Sequence, residues 1–142
     1  MMILPPLTAA PVDPSERPVR AKPRRTWRAK FGDALRGLKL GIRGHSSFFV
    51  HFFFTALVLA AAIVLHCELL EWCLLLGCIG LVLTAELFNS ALETLFRGLD
   101  ELTKARVWPS LDIAAGAVLL ASSFAAVIGA IVFLRRLAIL FD

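Results

Sequence analysis

Three observations predict an all-α membrane protein, with an N-terminal amphipathic surface helix followed by three transmembrane helices. First, hydrophobic residues make up 58% of the 142 residues, charged residues only 18%, and mean hydropathy is +0.78. A water-soluble domain of this length carries more charge. Second, three apolar stretches follow one another, each long enough to cross a hydrocarbon core of ~30 Å. Third, ten of the fifteen Lys and Arg lie between Arg17 and Arg43, and none lies between His45 and Phe96. Such an asymmetry places the basic flank, and with it the N-terminus, on the cytoplasmic side against anionic lipid headgroups; no nucleic acid is expected as partner.

Residues 1–23 hold six of the seven prolines. A helix does not survive that density, and the stretch is too polar to build a core, so a disordered cytoplasmic tail is expected. No apolar h-region follows a charged start, and no cleaved signal peptide is expected. Residues 24–142 form the membrane domain. Over 24–44, Trp27, Phe31, Ala34, Leu35, Leu38 and Ile42 recur at helical spacing. Arg24, Arg25, Arg28, Lys30, Arg36, Lys39 and Arg43 take much of the remaining surface, which describes a helix lying in the lipid interface. Trp27, Arg36 and Lys39 are its candidate lipid-contacting residues; a plain surface anchor is the alternative role. Gly41 and Gly44 mark a bend into the membrane.

The first span, about 48–66, has only His51 and Thr55 as polar interruptions. His51 is expected to pack against or bond a neighbouring helix rather than bind a metal. The acidic connection Cys67-Glu68-Leu69-Leu70-Glu71 is short enough to force an antiparallel hairpin, and its lack of Lys or Arg places it outside. Cys67, Cys73 and Cys78 match no zinc or redox spacing and read as structural thiols. The second span, about 70–96, is uninterrupted by charge from Trp72 to Ala85. A polar loop over 97–110 then closes on Trp108-Pro109-Ser110, with Ser110 as a plausible N-cap and Asp112 in the first turn of the last helix. The third span, about 111–134, is rich in Ala, Gly and Ser, which permits close helix packing in lipid. Arg135 and Arg136 follow it on the outer side.

The second half of the second span carries Glu86, Asn89 and Glu93, spaced i, i+3, i+7 and so on one helical face. A carboxylate at membrane depth is costly unless it meets a cavity, a metal or a partner, and marks a functional site by default. The alternative, that these groups only hydrogen-bond helices together, needs fewer polar groups than are present. Glu86 lies about 10 Å deeper than Glu93. No Walker loop, dinucleotide glycine motif, HExxH or nucleophile elbow is present, so any nucleotide chemistry uses another solution.

Glu86-Leu87-Phe88-Asn89-Ser90-Ala91-Leu92-Glu93 resembles the E-x-x-N-[ST]-A-x-E signature of the prokaryotic diacylglycerol kinase family, which includes undecaprenol kinases. Asp112-Ile113-Ala114-Ala115-Gly116-Ala117-Val118-Leu119 is similar to the start of that family's last helix, and Gly37-Leu38-Lys39 to its surface helix. The likeness covers roughly residues 26–136. It implies a homotrimer in the bacterial inner membrane that passes the γ-phosphate of Mg-ATP to a membrane lipid hydroxyl. Carried over by position, Glu86 is the implied base and Glu93 the implied Mg2+ ligand, with Asn89 beside it. Asp112 is implied to help frame the nucleotide site. Three positions depart from the family pattern: His45 where a metal-binding Glu is usual, Arg97 in place of an Asp, and Leu111 in place of a phosphate-touching Lys. Lys104, Arg97 and Arg106 are the residues available to restore positive charge at the nucleotide.

Two other readings stand beside the lipid kinase. One is a catalytically weakened relative acting as a membrane scaffold or lipid-binding subunit. The other is a small oligomeric transporter or channel lined by Glu86 and Asn89, against which the single acidic stripe and the lack of an inverted repeat argue.

Overall fold

A computed structural model describes residues 26–43 and 46–141. The proline-rich tail, Gly44 and His45 therefore lie outside the described residues. Among the described residues there are five α-helices and no strand: α1 Trp27–Arg43, α2 Ser47–Val64, α3 Leu69–Arg97, α4 Glu101–Val107 and α5 Pro109–Phe141. The helices α2, α3 and α5 are each long and apolar enough to cross a membrane. The predicted fold class holds: a surface helix precedes three spanning helices in a multi-pass membrane protein.

Helix α3 is the spine. It packs most extensively along α5 and also meets α2 and α1. Both α2 and α5 run antiparallel to it. Ala62 near the end of α2, Leu75 near the start of α3 and Val132 late in α5 form one buried cluster. Few other apolar residues are buried; Phe49, Phe53, Leu81, Phe124 and Ile131 all point outward. In lipid this is expected, because the hydrocarbon is as apolar as the side chains and association rests on close packing instead. A cavity of about 520 Å³ separates α2, α3 and α5 at mid-height, lined by His51, Phe54, Thr55, Cys78, Val82 and Ser122 among others.

The hairpin between α2 and α3 is tight for a reason visible in its backbone. His66 N–H donates to the Ile63 carbonyl at 3.1 Å and Cys67 N–H to the Ala62 carbonyl at 3.0 Å. This is the Schellman pattern, which satisfies the last orphan carbonyls and needs a left-handed residue at its pivot. His66 fills that position at φ 51° where glycine is usual. The Cys67 thiol is pushed up from its ordinary value by burial and then by the Glu71 charge, with Arg136 opposing.

The ends of the helices revise four sequence readings. The segment 97–110 is not one loop: Asp100 caps α4 by accepting from Thr103 N–H at 3.1 Å and from the Thr103 hydroxyl at 2.7 Å. Ser110 is not the cap of α5. The helix starts at Pro109, whose fixed φ and missing N–H suit a first helical position, and the Ser110 hydroxyl donates to the Val107 carbonyl at 2.6 Å. Gly41 is no bend; it lies inside α1, where it faces Leu87 of α3 so closely that a Cβ would collide with Leu87 Cδ1. Finally, α5 continues to Phe141, well past Leu134, and takes Arg135 and Arg136 with it. Arg136 is buried, with Nε 2.5 Å from Glu71 Oε2 and Nη2 2.9 Å from Glu68 Oε1. Arg135 Nη1 stands 3.5 Å from Glu71 Oε1. The two arginines thus answer the acidic hairpin and tie α5 to the start of α3.

Candidate active site

The stripe on α3 has helical spacing for an ordinary reason: Leu, Ala and Glu dominate the segment, and all favour helix. Its members differ in setting. Glu86 is 2% exposed, and Asn89 and Ser90 are also buried. The Glu93 side chain is 39% exposed. One helix thus presents a sealed carboxylate and, two turns later, an open one.

Glu86 is met from α2. The Ser47 hydroxyl donates a short hydrogen bond to Oε1. His51 Nε2 stands 3.5 Å from Oε2. Ser47 and His51 are i, i+4 on α2, so one helical face delivers both. The expectation that His51 packs against or bonds a neighbouring helix is met by this approach, and its partner is the stripe itself. Neither residue was singled out as a site residue from sequence. The available signal was that a Ser and a His four apart at the start of an apolar helix face a hairpin partner carrying a buried acid. The Ser90 hydroxyl is buried with no hydrogen-bond partner among the described residues.

Glu93 is organised by its own helix. Asn89 Nδ2 donates to Glu93 Oε1 at 3.1 Å, and Arg97 Nη2 lies 3.6 Å from Oε2. The Arg97 side chain is 61% exposed, and an exposed i, i+4 pair of this kind is worth a few tenths of a kcal/mol, roughly 0.3–0.5. Phosphate or metal chemistry can therefore displace it.

The remaining sequence-predicted site residues are not drawn into this network. Asp112 is exposed on the first turn of α5 and makes no hydrogen bond or ion pair with another described side chain. Lys104 Nζ donates to Glu101 Oε1 at 2.8 Å, within α4. Trp27 is 83% exposed with Lys30 Nζ 4.8 Å above its ring, and Arg36 pairs with Asp33 at 3.3 Å. Lys39 is exposed on the same helix. These residues give α1 an open basic and aromatic surface whose C-terminal end, through Gly41 and Leu87, abuts the turn that carries Glu86.

The family model described as prokaryotic diacylglycerol kinase matches residues 32–133, most of the chain. The chain belongs to the prokaryotic diacylglycerol kinase family. The match takes in the whole of α2, α3 and α4, most of α1 and α5, and every member of the acid stripe. No curated protein and no solved structure matches the chain. Membership of the diacylglycerol kinase family implies a lipid kinase, which gives the buried acid and the open acid a common setting.

The donor set can be tested against the magnesium ion that kinases use. Among the described residues, no three or more His, Cys, Asp or Glu gather in one place. The described residues therefore offer no closed protein cage. Magnesium instead commonly binds through one or two carboxylates while substrate phosphates and water complete its shell. Glu93, half-exposed and oriented by Asn89, fits that open kind of site.

Proposed function

We propose that this chain transfers the γ-phosphate of ATP to the hydroxyl of a membrane lipid, diacylglycerol or undecaprenol. The reaction would run at the cytoplasmic face of the bacterial inner membrane, in a homotrimer. The observation that carries the reading is the pairing of a buried, hydrogen-bonded Glu86 with an open Glu93 two turns away, inside a diacylglycerol kinase family match. Phosphoryl transfer asks little covalent chemistry of a protein and much alignment and charge neutralisation. Glu86, at the apolar end of the stripe, accepts the proton of the lipid alcohol as general base. Glu93, steadied by Asn89, anchors magnesium; when bound, the ion neutralises charge on the nucleotide phosphates. Arg97, one turn beyond Glu93, together with Lys104 and Arg106, supplies positive charge to the triphosphate in place of the lysine absent at Leu111. Asp112 frames the nucleotide. Trp27, Arg36 and Lys39 seat α1 among lipid headgroups.

The test is transfer of labelled γ-phosphate from Mg-ATP into lipid, with purified chain offered diacylglycerol and undecaprenol separately. Labelled lipid with one of them, lost in Glu86→Gln, supports the reading and names the substrate. No labelled lipid from folded protein contradicts it.

One observation favours a second reading, a scaffold without turnover. Arg97 pairs with Glu93, the carboxylate needed for magnesium. If the site is dismantled, Mg-ATP leaves the melting temperature unchanged.

A further inference from the structure

Glu86 is the most deeply buried acid of the stripe, and the groups that face it are few. From α2 come Ser47 and His51, which are its partners among the described residues. From α5 comes no titratable side chain, since none occurs between Asp112 and Arg135. From α1, Gly41 approaches at Leu87, while Lys39 and Arg43 are exposed and make no bond to Glu86. On α3 itself, Cys78 lies about two turns before it on the cavity wall, and Glu93 two turns after it, bound to Asn89 and Arg97. His51 is thus the one ionisable group in contact with Glu86 among the described residues. A single buried carboxylate that gains a proton must either keep it or pass it on. Here the second option has an acceptor 3.5 Å away, its side chain 18% exposed.

We propose that His51 is the positioning partner of Glu86 and takes up the proton that Glu86 removes from the acceptor alcohol. The proposal rests on the reading of Glu86 as base. As the alcohol O–H bond breaks, its proton moves onto the Glu86 carboxylate and from there to the lone pair of His51 Nε2. The alcohol oxygen forms the new bond to the γ-phosphorus. The bond from that phosphorus to the bridging oxygen breaks, and its electron pair leaves on ADP. Ser47 fixes Oε1 while His51 faces Oε2, so the two oxygens have separate duties. The separation of 3.5 Å exceeds an ordinary N–H···O bond, and a proton placed between the two groups draws them together. The outcome is a carboxylate beside an imidazolium, an ion pair in which each charge compensates the other.

The cavity of about 520 Å³ that His51 lines makes the idea testable by chemical rescue. The full chain is assayed for labelled phosphate transfer to diacylglycerol in mixed micelles, as wild type, His51→Ala, His51→Gln and Glu86→Gln. His51→Ala is expected to lose about 100-fold in kcat, the scale of one proton-transfer partner, with KM for Mg-ATP within about twofold. Added 4-methylimidazole recovers at least about tenfold of that loss, and more basic imidazoles recover more. His51→Gln keeps a hydrogen-bond donor without a basic nitrogen; it folds as the wild type does and stays slow. Three results overturn the proposal: a His51→Ala rate close to wild type, full activity in His51→Gln, or a folded His51→Ala that imidazoles do not rescue. If Glu86→Gln also keeps full activity, the base reading falls with it. If Glu86→Gln is dead and the His51 variants are fast, the relay alone falls.

Discussion

The two ends of α3 each bury a carboxylate, and they treat it in opposite ways. At the start, Glu71 is enclosed by cations: Arg136 at 2.5 Å and Arg135 at 3.5 Å, with its own hairpin N–H, from Glu68, donating at 2.8 Å. Towards the other end, Glu86 is as well buried but meets a hydroxyl and an imidazole, with no Lys or Arg among its described partners. An acid locked between guanidiniums has its charge spent on geometry. A buried acid held by groups that can themselves exchange protons is still available for chemistry. The contrast identifies Glu71 as a fastener between α3 and α5, and Glu86 as the residue to test for turnover.

The largest effect that sharpens this contrast is expected at Glu86. Glu86→Gln keeps the shape and most hydrogen bonds but removes the proposed base, and should lower labelled phosphate transfer by about a thousandfold. Next comes Glu93→Gln, expected to lower kcat/KM for Mg-ATP by roughly a hundredfold, about 2.7 kcal/mol of transition-state stabilisation. Titrating magnesium should show that higher metal recovers part of the loss, which it cannot do for Glu86→Gln.

Smaller effects belong to the connections. His66→Gly relieves a left-handed residue of its Cβ at the hairpin pivot and should raise stability by about 1 kcal/mol, read from thermal unfolding in detergent. An unchanged or lower melting temperature would mean that the imidazole does more than fill a turn. The least effect is expected at Asp100. Its carboxyl is held below the ordinary value by the Thr103 hydroxyl and then by the Thr103 N–H. A lowered folded value contributes stability that is complete above the unfolded value of about 3.9 and is lost as pH falls through the lower folded one. The protection of the Thr103 amide, its exchange rate taken relative to the intrinsic rate at each pH, should therefore be constant above about pH 5 and fall only in more acid solution.

Much of this architecture is legible in the sequence, because lipid imposes long apolar runs and leaves charges conspicuous within them. Glu86, Asn89 and Glu93 stand out for that reason, and helical spacing alone puts them on one face. What periodicity does not carry is the register between helices. Ser47 and His51 reach Glu86 only because the hairpin, closed by the Schellman turn at His66, aligns the start of α2 with the later part of α3. Arg136 reads as a stray outer cation until α5 is seen to run on past Leu134 and end against Glu68 and Glu71. Gly41 looks like a bend because glycine usually marks one; its actual task, room for Leu87, is a tertiary fact. The short α4 was hidden among mixed charges, too brief for a periodic signal.

The most direct test crosses the two acids. Glu86→Gln and Glu71→Gln are purified in the same detergent and compared in melting temperature and in labelled γ-phosphate transfer from Mg-ATP to diacylglycerol and to undecaprenol. The account predicts a Glu86→Gln chain that melts like the wild type and transfers nothing measurable. It predicts a Glu71→Gln chain that melts lower, with Arg136 left short of its partner, yet transfers at the wild-type rate while folded. The reverse pattern, with Glu86→Gln active and Glu71→Gln dead at temperatures where it is folded, would contradict the assignment of fastener and base.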